Sequence, residues 1–465
     1  MAQEIKKHYN IIMTNILEIS KKLSEKISNF ETQKSSRTAD DHQMFLYAME
    51  YILTEIWKKY YTHPDNNPSL QKNKNYYSLL ERYCDKNLTY FMVKQAFDGL
   101  MGLQLIYVTK EDYYDFIKME GSLTRYSARE ELIEILKVIP EHSVFQIKPN
   151  LDDESILLSN YVNSQKILVD YEEDAFTDKA RKNLKIINKC FYKHWFDLKI
   201  KNEDKKELQE RLLFDNEKEP IDLTKRTLAR IFINNSFEED GKFYRGWWQN
   251  VPSEYRPFIT IDSKLTTEYD FSQLNPNVIY NRYNYELGSV DAYDRVLDGE
   301  HRKIVKQAFN AMMQAKSDFE QKPKKIILDE IGMSWKELKE AILKAHKPIK
   351  DLFFTGLGNR LDFENSQITE NVMLQFVKMD VPVLPVDDSF IMHHVYAAYG
   401  ELEEAIRRAY HDRFLSNIKV KGDIVIQINS KKVDSIDNTI SDAILKAEND
   451  YSQWIYRDKI LVNKK

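Results

Sequence analysis

Asp270 closes an alternating run, LTTEYDF, and is followed by SQLNPNVIY, a turn that leads into a helical pattern. An acid at the C-terminal end of a strand is well placed to hold a cation at a sheet edge. A second acidic position lies in VPVLPVDDSFIMHH (381–394), where Asp387 and Asp388 interrupt an apolar run. Buried carboxylates are costly unless a positive charge meets them. The stretch therefore reads as two short β-runs joined by a turn at Val386 to Ser389. A strand from 265 and this hairpin side by side in one sheet bring Asp270 and Asp388 together. Two converging carboxylates suit a pair of Mg2+ ions roughly 3.5–4 Å apart, the apparatus of phosphoryl and nucleotidyl transfer. Mg2+ needs only one or two protein carboxylates beside the substrate phosphates.

Such chemistry also needs cations on a triphosphate. In HRKIVKQAFNAMMQA (301–315), Arg302 and Lys306 are four apart and share one helix face, which Phe309, Asn310 and Met313 continue. This helix offers a phosphate grip at one end and a base or sugar contact at the other. Seven Lys or Arg between Arg302 and Lys325 stand against two acids, in a chain of net charge −5; alone, that excess reads as a solvated helix face. Upstream, GKFYRGWWQNVPSEYRPFITID (241–262) interleaves aromatics with Lys242, Arg245 and Arg256. Aromatic and basic residues so mixed suit base stacking and phosphate contact, which makes Arg245, Trp247 and Trp248 candidates for a nucleic-acid surface. The plainer reading of the Trp pair is a core corner.

The elements that carry these residues belong to a chain of 465 residues, 42% apolar, 30% charged and 12% aromatic. That is an ordinary folded composition for two to four domains, and 12 Gly and 12 Pro favour long helices. No run of eighteen apolar residues exists and MAQEIKKHYN lacks a signal-peptide core, so the expectation is a cytoplasmic protein without a membrane partner. Cys84 and Cys190 lack CxxC spacing and point to neither a disulfide nor a zinc site. Residues 1–60 are helical in pattern. LTYFMVKQAFDGLMGLQLIYV predicts a helix over 89–101, a stop at Gly102 and a strand. With SLTRYSA (122–128) it outlines a winged-helix module, whose helix would enter a major groove; an internal packing domain fits as well. Residues 146–225 carry charged helical segments. ELEEAIRRAYHDRF (401–414) reads as a helix beneath the hairpin, IKVKGDIVIQI as a strand and SDAILKAENDYSQWIY as a closing helix. The expected organisation is an N-terminal module (1–145), a helical linker or thumb-like region (146–225), a core (226–420) and a strand-helix extension (421–465).

In order, QNVP (249–252), DFSQL from Asp270, Arg302 with Lys306, and VDDSF from Val386 resemble the palm and fingers motifs of family A DNA polymerases and of the related single-subunit phage-type RNA polymerases. The resemblance spans roughly residues 225 to 415. It implies an α+β, helix-rich right-hand core and template-directed nucleotidyl transfer, with DNA and nucleoside triphosphates, or RNA, as partners. By match, Asp270 and Asp388 hold Mg2+, with Mn2+ as a substitute, and Arg302 and Lys306 act on the triphosphate. Gln273, Asn275, Phe309, Asn310 and Gln314 fall at the nucleotide, and Gln249, Asn250 and Arg256 near primer or template. Three positions depart from the pattern: Asn275 replaces a Glu that helps exclude a ribose 2′-OH, Gln314 a Tyr, and Asp387 a His. Ser389 leans to the RNA-polymerase form and SQ at 272–273 to the DNA form. A divergent DNA polymerase leads. The alternatives are an RNA or primer-independent polymerase, a nuclease, and a nucleic-acid-binding protein of replication, mobile elements or antiviral defence with a degenerate palm.

Overall fold

A computed structural model describes residues 15–28, 37–62, 67–70, 82–83, 85, 88–111, 113–115, 120–122, 124–139, 151, 153–162, 165–213, 220–398 and 400–423. The closing helix expected over 441–456 lies outside these residues, as does the strand expected over 418–428 past Asp423. Helices and mostly antiparallel strands alternate along the chain, which divides into two units: Met1–Glu154 with Asp222–Lys225, and Ser155–Ile221 with Arg226–Lys465.

In the first unit, helix Ala39–Thr62 buries Phe45, Met49, Ile52, Leu53 and Ile56 at helical spacing. Helix Tyr90–Gly102 is capped by Thr89, whose hydroxyl accepts from Met92 N, and buries Met92, Val93, Ala96, Phe97 and Leu100. Strand Ile106–Lys110 follows and pairs antiparallel with Thr124–Ala128, whose other edge takes Ser69–Leu70. Helix, stop and strand thus fall where the apolar spacing predicts.

The second unit is built on two sheets. In the first, β1 (Ile156–Val162) and β2 (Gln165–Leu168) precede helix α1 (Ala175–Lys193), and β4 (Ala229–Phe232) and β5 (Asp240–Tyr244) complete the order β5-β4-β1-β2. Residues 156–162 and 165–168 are therefore strand, where charged helix is expected. Ile156, Leu157 and Leu158 are an apolar run buried in an inner strand, paired in parallel with Arg230 to Phe232. Arg230, fully buried, is held by Gly241 O at 2.9 Å, Ser366 Oγ at 3.0 Å and Glu370 at 3.3 Å. It ties this sheet to helix α6 (Gly358–Val377).

The second sheet contains β3 (Phe196–Leu198), β6 (Ile259–Ile261), β7 (Lys264–Phe271), β8 (Leu384–Val386), β9 (Ser389–His393) and β10 (Val420–Asp423). Its order is β8-β9-β7-β6-β3, and β10 also pairs with β7. One edge of β7 runs along β9, from Thr266 opposite His393 to Asp270 opposite Ser389. The other edge is shared by β6 at Lys264 and Leu265 and by β10 from Glu268 to Phe271. Strand alternation puts Glu268 and Asp270 on one face and the buried Tyr269 and Phe271 on the other. Against that buried face packs helix α7 (Glu401–Phe414), with Tyr410 on Phe271 at 6.4 Å, as its apolar spacing predicts.

Candidate active site

Strands β8 and β9 are joined by a two-residue turn made of Asp387 and Asp388, closed by the pair Val386 and Ser389. Asp387 takes a left-handed φ of 51° and is exposed. Short hairpins favour such backbone, and aspartate adopts it more readily than branched residues do. Because Ser389 faces Asp270, the turn sets Asp388 beside the end of β7. The two carboxylates act on each other. Burial, and then the negative charge of Asp388, push the Asp270 carboxyl up to about 7, against the opposing pull of Lys306. Burial likewise raises Asp388, and Lys306 again works against it. Asp270 Oδ1 is buried without a hydrogen-bond partner. Two facing carboxylates, one with an orphaned oxygen, form a hard-oxygen donor set that fits a divalent cation.

Lys306 and Arg302 lie on helix α4 (Arg302–Gln314). Lys306 turns its charge on both carboxylates, and Lys242 adds to its pull on Asp388. Arg302 is taken by the preceding loop: its Nη2 donates to Asp291 Oδ2 at 2.9 Å, its Nε lies 3.7 Å from Asp294 Oδ1, and its guanidinium covers the Tyr293 ring at 5.1 Å. Tyr293 is a site residue that sequence reasoning misses. Its ring is buried against Phe309 at 5.7 Å, and burial followed by the charge of Asp388 pushes its hydroxyl up, so it stands close to the pair. The loop that carries it is clamped at Ala292, whose N donates to Gln273 Oε1 and whose O accepts from His346 Nε2 at 3.1 Å. His346 Nδ1 in turn accepts from the Tyr280 hydroxyl at 3.0 Å, and burial holds this imidazole down to about 4.

Other residues expected at a nucleotide or nucleic acid occupy different places. Gln273 serves as the loop clamp just described. Phe309 is fully buried among Tyr293, His346 and Phe353, so its ring is core. Asn275 accepts from Asn365 Nδ2 at 3.0 Å and donates to Asn310 at 3.2 Å, a chain of amides across three helices. Gln314 is exposed and donates to Asp362 at 3.2 Å; it packs on Gly358, where a Cβ would collide with its amide. Trp247 and Trp248 are both fully buried, so neither offers a face to a base. Trp248 Nε1 donates to Pro385 O at 3.0 Å, and Gln249 Nε2 donates to Phe243 O at 2.7 Å and reaches Pro385 O at 3.3 Å. The QNVP turn is thus bolted to the strand that leads into Asp388. Asn250 is half-buried in the same turn, and Arg245 is exposed with a left-handed φ of 84°.

Arg256 reaches the site. Its Nη1 donates to Glu268 Oε1 at 2.6 Å, and the buried Ser389 hydroxyl donates to the same carboxylate. A cavity of about 290 Å³ opens there beside Asp270, lined in part by Arg256, Thr266, Glu268 and Lys421. On the other side of the turn, the half-buried Lys242 pairs with Asp362 at 2.7 Å; burial works against its charge, but Asp362, and then Asp240 and Asp387, hold its pKa up. Among the described residues no helix is long and apolar enough to cross a membrane.

No protein-family model matches this sequence, and no curated protein matches it. Among solved structures, the POL domain of Pol1 from M. smegmatis in complex with DNA primer-template and dNTP is similar to this chain at 10% identity and a TM-score of 0.31, over 82% of this chain. The match spans 65% of that structure's chain.

Proposed function

We propose that this chain is a divalent-metal-dependent nucleotidyltransferase that extends a nucleic-acid strand on a template, with residues 226–420 as its palm and fingers core. The observation that carries this reading is the convergence of Asp270 and Asp388, with an orphaned carboxylate oxygen, under the charge of Lys306. Asp270 and Asp388 would hold Mg2+, which when bound activates the attacking hydroxyl and neutralises the leaving phosphate. Lys306 supplies a fixed positive charge where a triphosphate approaches the carboxylates. Arg302 is kept at the N-terminus of α4 by Asp291, poised to exchange that partner for a phosphate, which it can bind bidentately. Glu268 holds Arg256 and Ser389 and so steadies the hairpin next to the cavity, where the end of the growing strand fits.

A labelled primer annealed to a longer template, incubated with Mg2+ and dNTPs or rNTPs, tests the reading. Extension that is lost in Asp388→Asn supports it, and extension unchanged in that variant overturns it. Synthesis of RNA is a second reading, favoured by Asn275, where a neutral amide tied to Asn310 and Asn365 replaces the acid that the resembling DNA polymerases use against ribose. The dNTP and rNTP arms separate the two.

A further inference from the structure

Away from the carboxylate pair, Cys190 and His194 stand one turn apart at the C-terminal end of α1, and Asp380 follows the end of α6 with a left-handed φ of 59°. One ligand atom from each of the three lies within 4.8 Å of the other two. Asp262, in the turn between β6 and β7, fixes the imidazole: its Oδ2 is 2.6 Å from His194 Nδ1, and its Oδ1 accepts from Trp195 N at 2.8 Å. With Nδ1–H donating to a carboxylate, the neutral form of the imidazole carries its lone pair on Nε2. That Nε2 is buried and has no hydrogen-bond partner. A carboxylate behind a histidine whose far nitrogen is unengaged is the arrangement that orients metal-binding imidazoles.

From this geometry we propose that Cys190 Sγ, His194 Nε2 and an Asp380 carboxylate oxygen form a Zn2+ site, with Asp262 as its positioning residue. A sulfur, an imidazole nitrogen and a carboxylate oxygen suit Zn2+ better than a hard cation, and a water completes the tetrahedron. The thiol proton leaves to solvent as the zinc–sulfur bond forms. Lys193, which pairs with Asp380 at 2.7 Å, is 59% exposed and free to swing into water when the dication arrives. A surface ion pair between these two residues accounts for Asp380 but not for the orphaned nitrogen of His194. The ion would fasten the C-terminal end of α1 to the segment after α6, with the turn that begins β7 tied in through Asp262. The site does not depend on the nucleotidyltransferase reading.

The test uses the full chain, stripped of metal with a chelator and titrated with Co2+ as a spectroscopic probe and then with Zn2+ against an indicator. One equivalent of Co2+ is expected to give a thiolate-to-cobalt charge-transfer band and the visible bands of a tetrahedral ion. Cys190→Ser should abolish the charge-transfer band, and Asp262→Asn should weaken Zn2+ binding by about 10- to 100-fold while the band keeps its shape. No charge-transfer band in the native sequence overturns the proposal, as does Zn2+ affinity unchanged in Cys190→Ser. Should either variant fail to fold, the Co2+ spectrum of the native chain decides alone. Asp388→Asn, which removes an oxygen ligand elsewhere, is expected to leave the band intact.

Discussion

Asp270 and Ser389 face each other across the antiparallel ladder of β7 and β9. That pairing decides where Asp388 stands, because the two-residue turn leaves its position no freedom once Val386 and Ser389 are paired. A slip of one residue would turn Glu268 and Asp270 to the face now filled by Tyr269 and Phe271. Register is therefore part of the chemistry.

In the proposed metal-dependent reaction, replacement of either carboxylate by its amide, Asp270→Asn or Asp388→Asn, is expected to remove several kcal/mol of charge stabilisation and to lower template-dependent incorporation by about three orders of magnitude. The same Asp270→Asn change relieves a buried repulsion. In the absence of divalent metal it should stabilise the protein at pH 7 by on the order of 1–2 kcal/mol. Primer extension and thermal melts in chelator check the two halves. A less stable Asp270→Asn protein would count against the repulsion.

The acid limb of the pH profile should respond with opposite signs to two neutralising changes. A proton on Asp270 competes with the metal, so Mg2+-dependent incorporation is expected to decline as pH falls below about 7. Lys306→Met removes the charge that holds both carboxylates down and should move this limb to higher pH. Glu268→Gln removes a charge that raises Asp270 and should move it lower. Incorporation measured across pH 5 to 9 for the three proteins decides; limbs that coincide refute the electrostatic account.

Trp248→Ala should destabilise the protein by about 3–5 kcal/mol, the usual result of truncating a buried aromatic. It also removes one of the two side-chain donors to the Pro385 carbonyl of the hairpin, leaving Gln249. Denaturant melts read the stability. Nucleic-acid affinity per folded molecule should stay unchanged, and a selective loss of affinity would return this ring to the binding surface.

Acid should weaken the fold through His346. Its folded-state pKa, about 4, lies below the ordinary value of 6.5. Between those values the unfolded chain binds the extra proton, so stability falls as pH drops through 6.5 towards 4. The loss is on the order of 2–3 kcal/mol. Asp270 works the other way, since its raised pKa makes stability fall as pH rises from 3.8 to about 7. Melts of Asp270→Asn from pH 4 to 7 should therefore show a steeper acid decline than the native chain.

Much of the arrangement was legible where a pattern is local. Strand 264–271, the turn at 387 and 388, helix 302–314 and helix 401–414 each announce themselves by period or by a charged break in an apolar run. What stayed hidden depends on distant partners. No spacing rule joins Arg302 to Asp291, Asn275 to Asn365, or His346 to Ala292, because each bond depends on how separate helices pack. The Trp pair misled in a different way: aromatics beside Arg look alike in sequence whether they meet a base or a proline carbonyl. ILLSNYV was masked by its charged neighbours, and its inner position in a sheet becomes evident only once β4 lies alongside it.

Strand β7 is bonded at once to β6, β9 and β10, segments that leave the ribosome at very different times. Asp270 is synthesised long before Ser389, and the Glu268 to Phe271 edge waits longer still, until residue 423 has been made. Until then that edge offers unpaired backbone to any other strand, a liability for a slow, long-range sheet. The edge beside the two acids is therefore sealed late, by the last of the described strands, after the hairpin that carries Asp388 has been made.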